Sequence, residues 1–167
     1  MDIANTNWYV FYTHPRSEKV VFEELLKLHY CVFLPLVKTL HRWKNRQNKM
    51  VSKVLFPGYI FVKTTLSRIN SIEHNPKIVY CVRSNQRPAV VPERDIECIE
   101  QMLALDQEVY TGHDFDEGEH VRVVRGPLAG YEGILITHRG KYRFCIQLKE
   151  IRQCACIDIH SSMLEKA

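Results

Sequence analysis

The stretch Leu55-Phe56-Pro57-Gly58-Tyr59-Ile60-Phe61-Val62 constrains this chain most. A short apolar run rich in aromatic and β-branched residues reads as a buried strand. Its start is bent, because Pro57 fixes φ and donates no N–H, while Gly58 has no Cβ. Beyond the bend the side chains alternate, Tyr59 and Phe61 on one face and Ile60 and Val62 on the other. One face can enter a core beneath helices. The aromatic face either completes a core or meets a partner, and periodicity alone leaves both open.

The flanking segments supply layers for that strand. Trp8 to Thr13 is a strand by its aromatic and β-branched content, and Pro15 suits the first turn of a helix. Val21, Leu25 and Leu28, widened by Phe22 and Leu26, make an apolar helical stripe. Cys31 to Val37 is β-rich, and Pro35 predicts an edge strand or a bend. Residues 38–53 are polar and aperiodic, a protruding hairpin or loop. Leu66 to His74 reads as a short helix ended before Pro76, followed by strands at Ile78 to Val82 and Ala89 to Val91. Pro92-Glu93-Arg94-Asp95 opens a helix whose first-turn acids suit its dipole and whose stripe is Ile96, Ile99 and Leu103. This order predicts an α+β domain, a sheet with helices packed against it.

Beyond Asp106 the helical pattern fades, and residues 108–116 read as a linker. The character then changes. Val121 to Val124 is a strand and Gly126-Pro127-Leu128-Ala129-Gly130 a turn. Strands follow at Tyr131 to Thr137, Tyr142 to Leu148 and Ile151 to Ile159. Tyr142, Phe144, Ile146 and Leu148 alternate with polar neighbours at a period of two. Several short strands in about 50 residues should close into a small barrel. The division is 1–107, a linker at 108–116, and 117–167.

Charge marks one segment. The net charge of +4 belongs to residues 1–110, which hold 15 basic and 11 acidic groups; residues 111–167 hold 8 of each. Between Glu24 and Glu73 no acid occurs at all, while Lys38, Arg42, Lys44, Arg46, Lys49 and Lys53 crowd the hairpin segment. A solvated basic loop would look the same, but Trp43, Asn45, Gln47 and Asn48 interleave the charges and point to nucleic acid.

Other functions find little support. The six cysteines form no CxxC, and no His stands at zinc-ligand spacing from a pair. Cys154 and Cys156 share a strand face and read as small apolar residues. The chain has no GxSxG, P-loop or HExxH motif, so neither catalysis nor a cofactor is expected. No apolar run approaches the roughly 20 residues a membrane span needs. The first residues, Met1 to Asn7, lack signal-peptide character, so the expectation is a cytoplasmic monomer.

Two signatures coincide. Trp8-Tyr9-Val10 followed by Leu55 to Val62 resembles the N-terminal (NGN) domain of NusG-type transcription elongation factors. Gly118-x-x-Val121-Arg122-Val123-Val124-x-Gly126-Pro127-x-Ala129-Gly130-Tyr131-x-Gly133 resembles the KOW motif that follows it. The compact region 38–53 and the segment Arg83 to Pro92 are similar to the specialised RfaH and capsule-operon antiterminators. The resemblance implies an NGN-type antiparallel sheet flanked by helices, with a small KOW β-barrel.

It also implies a function: binding RNA polymerase and suppressing pausing or termination, in an operon-specific way. A housekeeping NusG-type factor and an RNA-binding or ribosome-associated KOW protein are the alternatives. By resemblance, Tyr12, Phe56, Pro57, Tyr59 and Phe61 meet the clamp helices of the largest polymerase subunit. Arg68, Asn70 and Ser71 stand where the family touches the gate loop, without its threonine cluster. Arg16, Lys27, Arg42, Lys44, Arg46 and Lys49 face upstream or non-template DNA, although Glu23 and Glu24 on the first helix oppose sequence-specific reading there. Tyr131 matches an aromatic that meets a small-subunit ribosomal protein or Rho. Five glycines and Pro127 disfavour a helical alternative for the KOW segment, so it should stay β.

Overall fold

The computed structural model describes residues 5–113 and 118–167. Met1 to Ala4, part of the leader reading, and residues 114–117, the end of the expected linker and the first residue of the expected second unit, lie outside the described residues. The chain runs β1 (Asn7–Thr13), α1 (Glu18–Lys27), β2 (Cys31–Phe33), β3 (Leu36–Arg42), β4 (Asn48–Val54) and β5 (Tyr59–Thr64). A 3-10 turn (Leu66–Arg68) leads into α2 (Ile69–Glu73), then β6 (Ile78–Cys81), β7 (Arg83–Ser84), β8 (Arg87–Pro88), β9 (Val90–Val91) and α3 (Glu93–Ala104). The remaining strands are β10 (Val109–His113), β11 (Glu119–Val123), β12 (Glu132–His138), β13 (Lys141–Leu148), β14 (Gln153–Asp158) and β15 (Leu164–Lys166).

The first sheet has the order β2-β5-β1-β6, with β9 also on β1. Its pairings are antiparallel, and β1 lies at the centre. Period-two alternation sends Tyr9, Phe11, Ile60 and Val62 to one face, where they meet Val21 and Leu25 of α1 and Ile69 and Ile72 of α2. The other face sends Trp8, Val10 and Phe61 against Ile96, Ile99 and Met102 of α3. Each such buried side chain contributes roughly 1.5–3 kcal/mol by leaving water, so both faces are needed to hold the sheet. Pro35 separates β2, an edge strand, from β3. Pro15 stands three residues before α1 rather than in its first turn, because Arg16 has φ 63° and the helix starts only after Ser17.

The second sheet has the order β10-β14-β13-β12-β11-β15. Val121, Val123, Phe144, Ile146, Leu148, Ala155 and Ile157 share its inner face. Two elements were not expected. Residues 109–113, read as linker, form β10 and pair with β14 from Val109↔Ile157 to His113↔Gln153. Their apolar content is too low to announce a strand; the exposed backbone edge of β14 recruits them. β15, shorter still, pairs with β11. On the outer face Cys145 and Cys156 form a cross-strand disulfide, and Cys154 lies beside it, with its Sγ 3.6 Å from that of Cys156. The small apolar role read for Cys154 and Cys156 holds for their burial; the bond needed the β13–β14 register, which spacing does not reveal.

The two sheets share a boundary. Arg94 of α3 donates to the carbonyl of Gly130 and lies over the Tyr131 ring, 5.8 Å from its centroid. Buried Cys98 and Met102 of α3 belong to the same apolar cluster as the β13 core. No helix among the described residues is long and apolar enough to cross a membrane.

Candidate functional site

Three tyrosines line one end of the first sheet. Register places Tyr12 of β1 opposite Tyr59 of β5 and Tyr80 of β6. The rings of Tyr12 and Tyr59 lie 5.3 Å apart by centroid, those of Tyr12 and Tyr80 5.4 Å. Tyr12 and Tyr59 are half-buried and Tyr80 is 47% exposed. Burial, then the neighbouring Tyr80 and Tyr12, pushes the Tyr59 hydroxyl above its ordinary pKa, so it stays a neutral donor and acceptor. Such a strip offers broad contact area at low entropic cost.

The Pro57-Gly58 bend seats this strip. Gly58 has φ +88°, and a Cβ there would stand 2.8 Å from the Tyr12 ring. Its N–H donates to Glu18 Oε1 at 2.7 Å, and its carbonyl accepts from the Thr13 N–H (2.8 Å) and hydroxyl (3.3 Å). Glu18 is 7% exposed. It is the first residue of α1, where the helix dipole favours an acid. Sequence reading missed Glu18 and Tyr80. An acid at a helix start looks like ordinary dipole matching, and Tyr80 acquires neighbours only through strand register.

Among the five aromatic-face residues, the structure brings Tyr12, Pro57 and Tyr59 toward solvent but leaves Phe56 and Phe61 with 0% exposure. Phe61 packs against Phe33 and Phe56, with centroids 5.9 and 6.2 Å away. These two rings support the strip from within.

The hairpin of β3 and β4 stands off both sheets as its own two-stranded unit. Its strands are almost wholly exposed, and among the described residues none of its six cations forms a salt bridge. Lys19 of α1 donates to the Ser52 carbonyl at 2.7 Å and braces the hairpin base. The tip closes through Trp43 N–H to the Gln47 carbonyl and Arg46 N–H to the Trp43 carbonyl, 3.0 Å each. Arg46 adopts φ 63° there.

The remaining basic residues do not join the tip. Arg16 and Lys27 bracket α1, a helix about 15 Å long. Glu24 is neutralised: Lys77 and Asn75 donate to it at 2.6 and 2.8 Å and hold its carboxyl below the usual range. Arg68, Asn70 and Ser71 are exposed on the α1/α2 side, where Arg68 lies over the Tyr30 ring. They therefore sit on the opposite side of the sheet from the Tyr strip. Tyr131 is half-buried against α3. Among the described residues no group of His, Cys, Asp or Glu is arranged to hold a metal ion.

Residues 6–100 match the family model described as "Transcription termination factor nusG". The chain is 27% identical over 152 residues to the transcription termination/antitermination protein NusG of Helicobacter pylori, covering 82% of this chain and 84% of that one. It is 27% identical over 140 residues to the Bacillus subtilis protein of the same name, covering 76% and 78%. A solved structure described as "Domain interaction in Thermotoga maritima NusG" shares the fold across 97% of both chains, with TM-score 0.53 and 19% identity.

Proposed function

The chain belongs to the NusG family of transcription termination and antitermination factors, and from that membership we propose that its N-terminal domain binds RNA polymerase through the Tyr12–Tyr59–Tyr80 strip. One observation carries this: three tyrosines in direct cross-strand register, partly exposed on a sheet whose opposite face is covered by helices. The clamp helices of the largest subunit would meet Tyr12, Pro57, Tyr59 and Tyr80, with Phe56 and Phe61 as the rigid base. Docking there would favour the elongating enzyme over paused forms. Arg68, Asn70 and Ser71 would reach a different part of the polymerase, since they face another side.

The basic hairpin would lie along upstream or non-template DNA, mainly on phosphates. Arg16 and Lys27 would contact the same strand only where it passes α1. The functional units would be residues 1–107 and 117–167. β10 lies within the region read as their linker yet pairs with the second sheet. That second unit would receive a ribosomal protein or Rho at Tyr131, once the Arg94 contact opens. The compact hairpin and the Arg83 to Pro92 segment support operon-specific action; the names borne by the relatives support a housekeeping role.

Polymerase co-precipitation tests the strip. Tyr12→Ala with Tyr59→Ala should lower capture by on the order of tenfold or more, as loss of interface aromatics does, with unchanged circular dichroism. Capture equal to wild type would overturn the site. Failure of even the wild-type chain to bind polymerase would favour a ribosome-associated KOW protein.

A further inference from the structure

The hairpin tip holds an aromatic pair that the fold does not use. Trp43 is 53% exposed, although it is the residue type with most to gain from burial. His41 and Trp43 pack edge to face, centroids 5.1 Å apart and ring planes at 79°. The register puts His41 opposite Lys49, while Leu40 pairs with Met50 on the other face. Trp43 therefore is not part of an apolar cluster with Leu40 and Met50. The indole borders a recess of about 480 Å³ lined also by Asn45, Gln47, Asn48 and Lys49. The loop is stiffened by the Asn45 side chain, which accepts from the Gln47 N–H at 3.3 Å. An open indole, held in place by a second ring and flanked by lysine and amides, matches the chemistry that binds unpaired bases.

We propose that the hairpin tip is a stacking site for single-stranded nucleic acid, with an unpaired base on Trp43 and the adjoining phosphates on Lys49 and Arg46. The inference rests on the reading that the basic hairpin faces nucleic acid, and sharpens it from charge to strandedness. In an intact duplex each base face is covered by its neighbours, so an exposed indole has nothing to stack on. In an opened strand every base presents a π-face, and stacking tolerates any sequence. The surrounding cations supply the salt-sensitive part of the binding.

Fluorescence anisotropy on the full chain tests this. The probes are a labelled mixed-sequence DNA strand of about 12 nucleotides, its RNA counterpart, and the matching DNA duplex. Trp43→Ala should weaken binding to single strands by about 5- to 150-fold, the loss expected for one stacked base. Trp43→Phe should retain most of the affinity, and duplex binding should be unchanged. The Trp43 part of the emission, read as wild type minus Trp43→Ala, should be quenched by the single strands, and the stronger quencher identifies DNA or RNA as the natural strand. Single-strand binding unaffected by Trp43→Ala but lost in a Lys44→Ala, Arg46→Ala, Lys49→Ala variant would overturn the stacking site and leave the charge reading standing. Equal loss for strand and duplex would also overturn it. No binding of any probe would overturn both.

Discussion

Gly58 shows how much one residue carries. It gives the chain a left-handed bend, leaves room for the Tyr12 ring, and satisfies buried Glu18 through its N–H. Gly58→Ala should cost about 1–3 kcal/mol, from strained φ together with displacement of Tyr12, and urea unfolding reads it directly. Glu18→Ala should lose about 1–3 kcal/mol, because the buried Gly58 N–H is left without its acceptor. Phe61→Ala should cost about 3–5 kcal/mol as a core cavity, which makes it unsuitable as an interface probe. Asp95 makes a pH prediction. Burial first, then the nearby Glu150, raises its carboxyl to about 6 from 3.8. The folded chain thus holds this proton more tightly than the unfolded one, so Asp95 should lower stability as pH rises from about 4 to 6. Asp95→Asn should flatten that slope and raise stability at pH 7 by on the order of 1 kcal/mol, after allowance for partial solvent exposure. Urea midpoints at pH 4.5 and 7.5 check it; a larger gain at the lower pH would contradict the assignment.

At the level of elements, the hairpin behaves differently from the sheets. It contributes little to either core, and an acid-free run of cations repels itself. Removing Lys44, Arg46 and Lys49 should therefore leave thermal stability within about 0.5 kcal/mol. The same change should reduce the slope of log affinity against log salt by about two, as expected for roughly three lost phosphate contacts. A slope unchanged by that triple substitution would place the nucleic-acid contacts elsewhere. The KOW segment argues the opposite way. A Cβ at Gly133 would stand 2.5 Å from the Cys145 carbonyl and 2.7 Å from the Phe144 ring, so β12 and β13 close only around glycine. This close approach and the Cys145–Cys156 bond both belong to the β form.

Across the whole molecule, α3 serves two sheets. Ile96, Ile99 and Met102 pack on the first, while Arg94 and Cys98 face the second. Burial pushes the Cys98 thiol up to about 12, as expected for a sulfur enclosed at such a boundary. Arg94→Ala should release Tyr131 and loosen the sheets without unfolding either one. Limited proteolysis should then cut faster between residues 105 and 118, while far-UV circular dichroism stays unchanged. An unaltered cleavage rate would mean that the apolar part of the boundary suffices.

The sequence by itself determined the elements with strong local signals. The period-two strands Tyr59 to Val62 and Tyr142 to Leu148 and the Val21–Leu25 part of the α1 stripe follow from side-chain spacing, which depends only on backbone geometry. Leu26 and Leu28, read into that stripe, lie exposed, and the hairpin is marked by charge rather than by period. The two motifs, separated by the right span, were enough for the family. Tertiary structure alone decided the rest. Phe61 and Tyr59 alternate identically along the chain, yet α3 and Phe56 bury one and leave the other half-open. Tyr80 joins Tyr12 only through β1–β6 register, β10 exists only because β14 offers an edge, and Cys145 finds Cys156 only across paired strands. Each of these is a contact between residues distant in sequence, and local periodicity holds no information about which distant partner will cover a face.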